Sequence, residues 1–172
     1  MASLMEDLIE ILDQECEAYQ ELLGLSSKKT LVIAAEDLEK LSQITDEEQA
    51  SVGKIQKLEK KRLSAMSDIA AVLNKDVETL KLTDLVRVLD KRPSEQKRLA
   101  EVRDRLFTTA GQVRRVNSQN QELLNSALEM VQFEMNIIQQ AGNAPETANY
   151  NKAAGTSGDL IGTGSGRFDA RQ

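Results

Sequence analysis

Aliphatic residues recur every three or four positions through most of this chain, which predicts long α-helices that pack along narrow apolar seams. The longest seam lies within residues 94–141. Its members are Leu99, Val102, Leu106, Thr109, Val113, Val116, Asn120, Leu123, Ala127, Met130, Glu134 and Ile137. Only Thr109, Asn120 and Glu134 interrupt the apolar character, so this helix should pack against a neighbouring helix along most of its length.

The last third of this helix carries more apolar side chains than one seam needs. A second row, beside the first, consists of Leu124, Leu128, Val131, Met135 and Ile138, and Phe133 projects in a further direction. Surplus apolar surface on a helix is typical of a site that receives a partner. We therefore predict a partner-binding surface made of Leu123, Leu124, Leu128, Val131, Phe133, Met135 and Ile138. An internal neighbour or a second copy of the chain would explain the same pattern.

The same periodicity predicts the other helices. A helix over about 4–33 has two adjacent apolar rows, so it can contact two neighbours and is expected at the centre of the packing. A second helix over about 37–73 begins at Asp37, which is a favourable N-cap residue, and stops at Asn74.

A connector follows, with a short helix over about 83–90 that Thr83 caps. Pro93 then suits the first turn of the last helix, which spans about 94–141. These elements predict an all-α fold: an elongated antiparallel bundle or coiled coil of three long helices plus one short helix, in residues 1–142.

Residues 143–172 differ from the rest of the chain. They are rich in Gly, Ala, Asn, Ser and Thr and contain too few apolar side chains to offset the entropy lost on ordering, so a flexible, disordered Gly-rich C-terminal tail is expected. Three apolar groups, Tyr150, Leu160-Ile161 and Phe168, are spaced like the anchors of a linear motif, although a chance occurrence is the stronger interpretation.

Composition supports an extended helical protein in a reducing compartment. Aromatic residues make up 3% of the chain and there are two Pro and no Trp, which favours helices with aliphatic seams. The single Cys16 lies in an apolar row, where it should act as a small hydrophobic residue. We expect a cytoplasmic protein without a transmembrane segment, because the chain has neither a signal-peptide pattern nor a long apolar run.

Charge is distributed unevenly along the chain. Residues 1–50 contain 13 acids and 3 bases, whereas residues 81–115 contain 5 acids and 10 bases. We expect the acidic first helix to lie against the basic start of the last helix. Nucleic-acid binding is not expected, because acids are interspersed among these bases, stacking aromatics are absent there and the net charge is −6.

Catalytic and metal-binding chemistry finds little support in the sequence. The chain has no His, which removes the commonest general base and the usual zinc and di-iron motifs. Acids fall on the apolar seams only at Glu15, Glu48 and Glu134, where polar positions that set helix register are the better interpretation. We therefore predict no enzymatic activity, no cofactor and no metal site.

Several motifs together suggest a family. They are Leu8-x-x-Ile11-Leu12-x-x-Glu15-x-x-x-Tyr19-x-x-Leu22-Leu23, Glu36-Asp37-Leu38-Glu39-x-Leu41, Glu47-Glu48, Leu58-Glu59-Lys60-Lys61-Arg62, Asn117-x-x-Asn120-x-x-Leu123-Leu124 and the final Arg167-Phe168-Asp169. In this order along an acidic, His-free chain, they resemble the FlgN-type flagellar type III export chaperones.

The resemblance implies a cytoplasmic chaperone for flagellar hook-filament junction proteins. It implies that the last helix binds the unfolded, amphipathic terminal segments of these proteins and that the chaperone also meets components of the flagellar export apparatus. The alternative is a structural coiled-coil scaffold that uses the same apolar surface for self-association. Whether the free protein is a homo-oligomer stays open at this stage.

The composition of the tail leads to a first prediction. Deletion of the chain from Asn143 onward should leave the melting temperature almost unchanged, because the tail has too little apolar surface to dock on the bundle. Thermal unfolding followed by circular dichroism of the full and shortened chains checks this. A loss of several degrees would mean that the tail packs against the helices.

Overall fold

A computed structural model describes residues 2–143 of this protein and contains four α-helices: α1 (Ala2–Ala34), α2 (Leu38–Leu73), α3 (Leu82–Val88) and α4 (Pro93–Gly142). No strand occurs in these residues, and the predicted all-α fold of three long helices and one short helix is confirmed. None of the described helices combines the length and the apolar character that crossing a membrane requires.

The chain divides into two units, Met1–Gln132 and Phe133–Gln172. The first unit contains α1, α2, α3 and most of α4, and it holds all of the buried core. The described part of the second unit is the end of α4 and Asn143. The division into a helical region 1–142 and a tail 143–172 stays a prediction, because almost all of that tail, including Tyr150 and Phe168, lies outside the described residues.

Side-chain and backbone caps fix the ends of α2. The Asp37 carboxylate accepts a hydrogen bond from the Lys40 amide at 3.1 Å, and Asn74 ends the helix in the left-handed conformation with φ of 52°. Both roles were predicted, and both satisfy backbone groups that a helix end leaves free. Pro93 is the first residue of α4, also as predicted.

The predicted cap of α3 is wrong. α3 begins at Leu82, so Thr83 lies inside the helix. The carboxylate of Asp84 accepts a hydrogen bond from the Lys81 amide at 3.1 Å instead. An acidic residue in the first turn that reaches back to the preceding amide replaces the hydroxyl cap that the sequence suggested.

Ion pairs show the directions of the long helices in the first unit. Glu21 of α1 pairs with Lys54 of α2 at 3.1 Å and Lys29 pairs with Glu48 at 2.7 Å, so α1 and α2 are antiparallel. Glu6 pairs with Arg98 of α4 at 2.9 Å and Asp13 pairs with Arg105, so α1 and α4 run parallel in an up-down-up arrangement. The acidic α1 therefore lies against the basic start of α4, as its charge predicted.

The core is built around the first half of α1. Its two apolar rows are almost fully buried, as expected of a central helix, and they meet residues from the other three helices. The main cluster includes Met5, Leu8, Ile9, Leu12, Cys16, Met66, Ile69, Leu85, Leu99 and Val102. A smaller cluster, Ala18, Leu22, Ile55, Leu58 and Val113, continues toward the α1–α2 turn. The core thus becomes thinner with distance from α3.

Cys16 behaves as the small hydrophobic residue that its position predicted. It is 1% exposed, and its thiol donates to the Val102 carbonyl oxygen at 3.6 Å. Burial raises the pKa of the Cys16 thiol, which keeps it protonated and unreactive. The contact also joins α1 to α4 at mid-helix.

Glu15 is a buried acid within the α1 rows. Its carboxylate is almost fully buried and accepts a hydrogen bond from Arg62 Nε of α2 at 3.0 Å. Burial raises the pKa of Glu15 and outweighs the lowering effect of the Arg62 guanidinium. Ionised Glu15 is therefore less favourable in the folded chain than in the unfolded chain.

This shift makes a prediction about pH. Because the folded pKa of Glu15 lies above its ordinary value of 4.5, its unfavourable contribution is present at neutral pH and fades as the pH falls through the folded pKa toward 4.5. Wild type should therefore gain stability relative to Glu15→Gln over that interval. Urea unfolding of both proteins across the same pH series measures the difference. If wild type instead loses stability relative to Glu15→Gln as the pH falls, the ion pair with Arg62 outweighs the effect of burial.

Candidate partner-binding surface

The seam of α4 is covered only as far as Asn120. Leu99, Val102, Thr109, Val113 and Asn120 are buried against the bundle. From Gln121 to Asn143 no side chain is buried, and the predicted seam members Leu123, Ala127, Met130 and Ile137 are exposed. The apolar pattern therefore continues beyond the point at which burial stops.

A polar layer closes the core at this point. The Asn120 side chain donates from Nδ2 to the Ser26 carbonyl oxygen at 2.8 Å and accepts from the Thr30 hydroxyl at 2.6 Å. The Ser26 hydroxyl in turn donates to Glu48 of α2 at 2.9 Å, and Lys29 pairs with the same carboxylate. We call Ser26, Lys29, Thr30, Glu48 and Asn120 the polar layer. It links all three long helices, which is the role that the sequence suggested for Glu48.

Helix length explains why α4 loses its cover here. Thr30 contacts Asn120, and α1 ends at Ala34, four residues further on. Since α1 and α4 are parallel, α1 ends ~6 Å beyond Asn120, at about the level of Leu124. α2 begins at Leu38, directly after the turn. In the first unit, α4 therefore extends past the turn that joins its two neighbours.

The predicted surface residues are accordingly open to solvent. In the first unit, Leu128 and Val131 are more than half exposed, Leu123 is 36% exposed and Leu124 is half-buried. In the second unit, Phe133, Met135 and Ile138 are each more than half exposed. The contrast with Val113 is large, because its side chain is 6% exposed and that of Leu128 is 61% exposed.

These seven residues do not all share one face. At ~100° per residue, Leu124, Leu128 and Val131 lie within ~60° of one another, whereas Leu123 lies ~100° from Leu124. In the second unit, Met135 and Ile138 lie ~60° apart, and Phe133 lies ~160° from Met135. Phe133 thus projects away from the Met135 row, as the sequence suggested. We call Leu124, Leu128, Val131, Met135 and Ile138 the α4 row.

Charge around the α4 row is sparse. Residues 116–143 contain Glu122, Glu129 and Glu134 and no base. Within residues 2–143 no three Cys, Asp or Glu side chains gather in a way that could hold a metal ion. The surface is suited to apolar contact.

Several exposed apolar side chains outside the α4 row were not predicted, and three of them are more than 70% exposed. Leu31 and Leu38 flank the α1–α2 turn and are 72% and 78% exposed, and Phe107 on α4 is 82% exposed. Leu31 and Leu38 lie at the end of the hairpin, where the described residues cover little of either side chain. Phe107 lies off the α4 seam. An aromatic residue off the seam, in a chain with so few aromatics, was the signal available.

Comparison with known proteins agrees with the resemblance in the motifs. The family model described as FlgN protein matches residues 1–158. An uncharacterized protein from Bacillus subtilis (strain 168), YvyG, is 24% identical over 153 residues, which cover 89% of each chain. No solved structure matches the chain.

The polar layer leads to a stability prediction. Asn120→Ala removes two buried hydrogen bonds, one to the Ser26 carbonyl and one from the Thr30 hydroxyl, so the free energy of unfolding should fall by ~1–3 kcal/mol. Asn125→Ala is the matched control, since Asn125 is exposed on the same helix and accepts only from Gln121. Its effect should stay within ~0.5 kcal/mol. Equal losses in urea unfolding would show that the polar layer does not contribute.

Proposed function

The chain belongs to the FlgN family of flagellar export chaperones, and on that basis we propose that it binds the unfolded, amphipathic terminal segments of flagellar hook-filament junction proteins. It keeps them from aggregating in the cytoplasm and delivers them to the flagellar type III export apparatus. It acts by binding and not by catalysis.

The α4 row is the observation that carries this proposal. Its members in the first unit, Leu124, Leu128 and Val131, lie within ~80° of buried Asn120 around the helix axis, yet Leu128 and Val131 stay more than half exposed because α1 has ended. Apolar side chains arranged at helical spacing on an uncovered helix are the half of a helix–helix interface that a soluble bundle otherwise hides.

A client segment would pack against α4 beyond Asn120, as α1 and α2 pack against α4 before it. An amphipathic segment that folds as a helix against Leu124, Leu128 and Val131 takes the position that lies beyond the α1–α2 turn. Its own apolar face is then covered, which is what an unfolded export client needs before assembly. Met130 and Met135 lend the surface flexible side chains that adapt to more than one client sequence.

The energetics favour a bound state that can be reversed. Full burial of a Leu, Val or Ile side chain contributes ~1.5–3 kcal/mol, and side chains that are already half covered retain on the order of 1 kcal/mol each. Ordering a disordered segment costs ~2–5 kcal/mol of the gross interaction energy. The margin between these two contributions is small, so a client bound through this row alone is released readily, as export requires.

The test is a pair of charge substitutions in the α4 row. Leu128→Asp and Met135→Asp should abolish capture of a terminal peptide from a junction protein, measured by fluorescence anisotropy, because they place a charge where the client packs. Helicity and melting temperature should stay close to wild type, since both side chains are more than half exposed in the free chain.

Two controls separate binding from folding. Ser126→Asp adds the same charge to an exposed position ~160° from Leu128 on α4, and it should bind as wild type does. Val113→Asp buries an unpaired charge in the covered seam and should lower the free energy of unfolding by several kcal/mol. If Leu128→Asp unfolds the chain as badly as Val113→Asp, the row is ordinary core. If both row variants fold and still bind, the client site lies elsewhere.

Light scattering distinguishes the scaffold alternative. A client-binding chaperone should gain mass by one peptide per site and lose this gain in Leu128→Asp. A scaffold that self-associates through the α4 row should instead be an oligomer without peptide, and Leu128→Asp should dissociate it.

A further inference from the structure

A second exposed apolar feature lies well away from the α4 row. Phe107 is on α4 and is 82% exposed, the highest value of any large apolar side chain in the described residues. It lies seventeen residues before Leu124, the first member of the α4 row, or ~26 Å along the helix, and both residues are in the first unit. One short segment bound to the α4 row would leave Phe107 free.

Phe107 forms one wall of a groove between α2, α3 and α4. Apolar side chains line its floor and sides, among them Met66 of α2 and Leu80 and Leu82 from the start of α3. Met66 and Leu80 are buried and Leu82 is half-buried, so the groove has a fixed apolar base with Phe107 standing at its edge. An aromatic ring in this position offers a large, rigid contact area to an incoming side chain.

The charged residues around the groove are mainly basic. Arg62, Lys81 and Arg103 line it, with Asp104 as the only acid among the lining residues. Arg62 is paired with buried Glu15 and Arg103 with Asp104 at 2.8 Å, while Lys81 forms no ion pair with any described residue. The segment 81–115, which supplies two of the three walls, carries 10 bases against 5 acids in a chain of net charge −6. The lining residues thus carry more basic than acidic charge, and Lys81 is the base among them that is left without an ion pair to a described residue.

From this combination we infer that the Phe107 groove docks an acidic amphipathic segment of a partner protein. An apolar side chain of the segment packs between Phe107 and Leu82, and a carboxylate of the segment pairs with Lys81. The inference does not depend on the client-binding role of the α4 row, since it rests on different residues and, unlike that row, requires charge in the partner.

The experiment uses the full chain and two synthetic peptides labelled with fluorescein. Both have Leu at helical spacing, and the remaining positions are Glu in one peptide and Lys in the other. The Glu peptide should bind more tightly than the Lys peptide, for which only the α4 row is available, and rising salt should reduce this difference. Phe107→Ser should weaken binding of the Glu peptide by roughly tenfold or more, and Lys81→Glu should weaken it and remove most of the salt dependence.

The matched control is Leu31→Ser, an exposed apolar residue of α1 that lies outside both the groove and the α4 row. It should bind the Glu peptide as wild type does. Equal binding of the two peptides, unchanged binding by Phe107→Ser, or loss of binding in Leu31→Ser would each overturn the inference. Circular dichroism verifies that the variants fold, and Lys81→Glu tests the groove independently if Phe107→Ser does not.

Analytical sedimentation of the free chain tests whether the Phe107 groove instead binds a second copy of this chain. The α1–α2 turn is itself acidic and carries exposed Leu38. Wild type should not self-associate through the groove. If wild type does self-associate, and both Phe107→Ser and Leu38→Ser abolish this association, the groove binds a second copy of this chain and not an acidic partner segment.

Discussion

The register between α1 and α4 determines where this chain stops being a bundle. Parallel packing is fixed at three levels: Glu6 meets Arg98, Cys16 meets the Val102 carbonyl, and Ser26 meets Asn120. A slip of one turn, or ~5.4 Å, would bring Leu123 and Leu124 to the level of Ser26 and Thr30 and take the Asn120 amide groups away from their partners. The cost of such orphaned groups is ~1–3 kcal/mol each, so register and the length of uncovered α4 are set by the same contacts.

The polar layer marks the end of the buried core, although apolar side chains continue at helical spacing along α4 beyond it. Ser51 shows how thin the core is nearby: it is buried, and its hydroxyl has no hydrogen-bond partner among the described residues. Stability is concentrated at the α3 end, around Met5, Leu12 and Leu99, where the burial is complete. The end that presents the α4 row is therefore the weaker end of the bundle, which suits the proposed role of this row in accepting and releasing clients.

Much of this structure follows from local pattern. Heptad spacing predicts the helices, Asp37 and Asn74 mark the ends of α2, and the double apolar row of α1 predicts its central place. The surplus of apolar side chains in the α4 row is also visible in the sequence. Two features could not be predicted in this way. Exposure of Leu31 and Leu38 depends on where neighbouring helices end relative to one another, which is a property of register and not of any one helix. α3 begins after Lys81, with Asp84 accepting from the Lys81 amide, and a sequence in which Thr83 and Asp84 are adjacent does not decide which of them serves the start of the helix.

Uncovered apolar side chains are a liability for a protein at cellular concentration, since they invite aggregation. Their distribution here reduces the risk, because Phe107 and the α4 row are separated by a stretch of α4 that carries Arg114 and Arg115, and both of these side chains are exposed. Each apolar feature is thus small, and the two differ in their surrounding charge. A surface that is apolar and nearly uncharged selects partners by shape and hydrophobicity, whereas the basic groove around Phe107 adds charge as a criterion. With both proposed sites, the α4 row and the Phe107 groove, one helix can bind two different kinds of partner without competition between them.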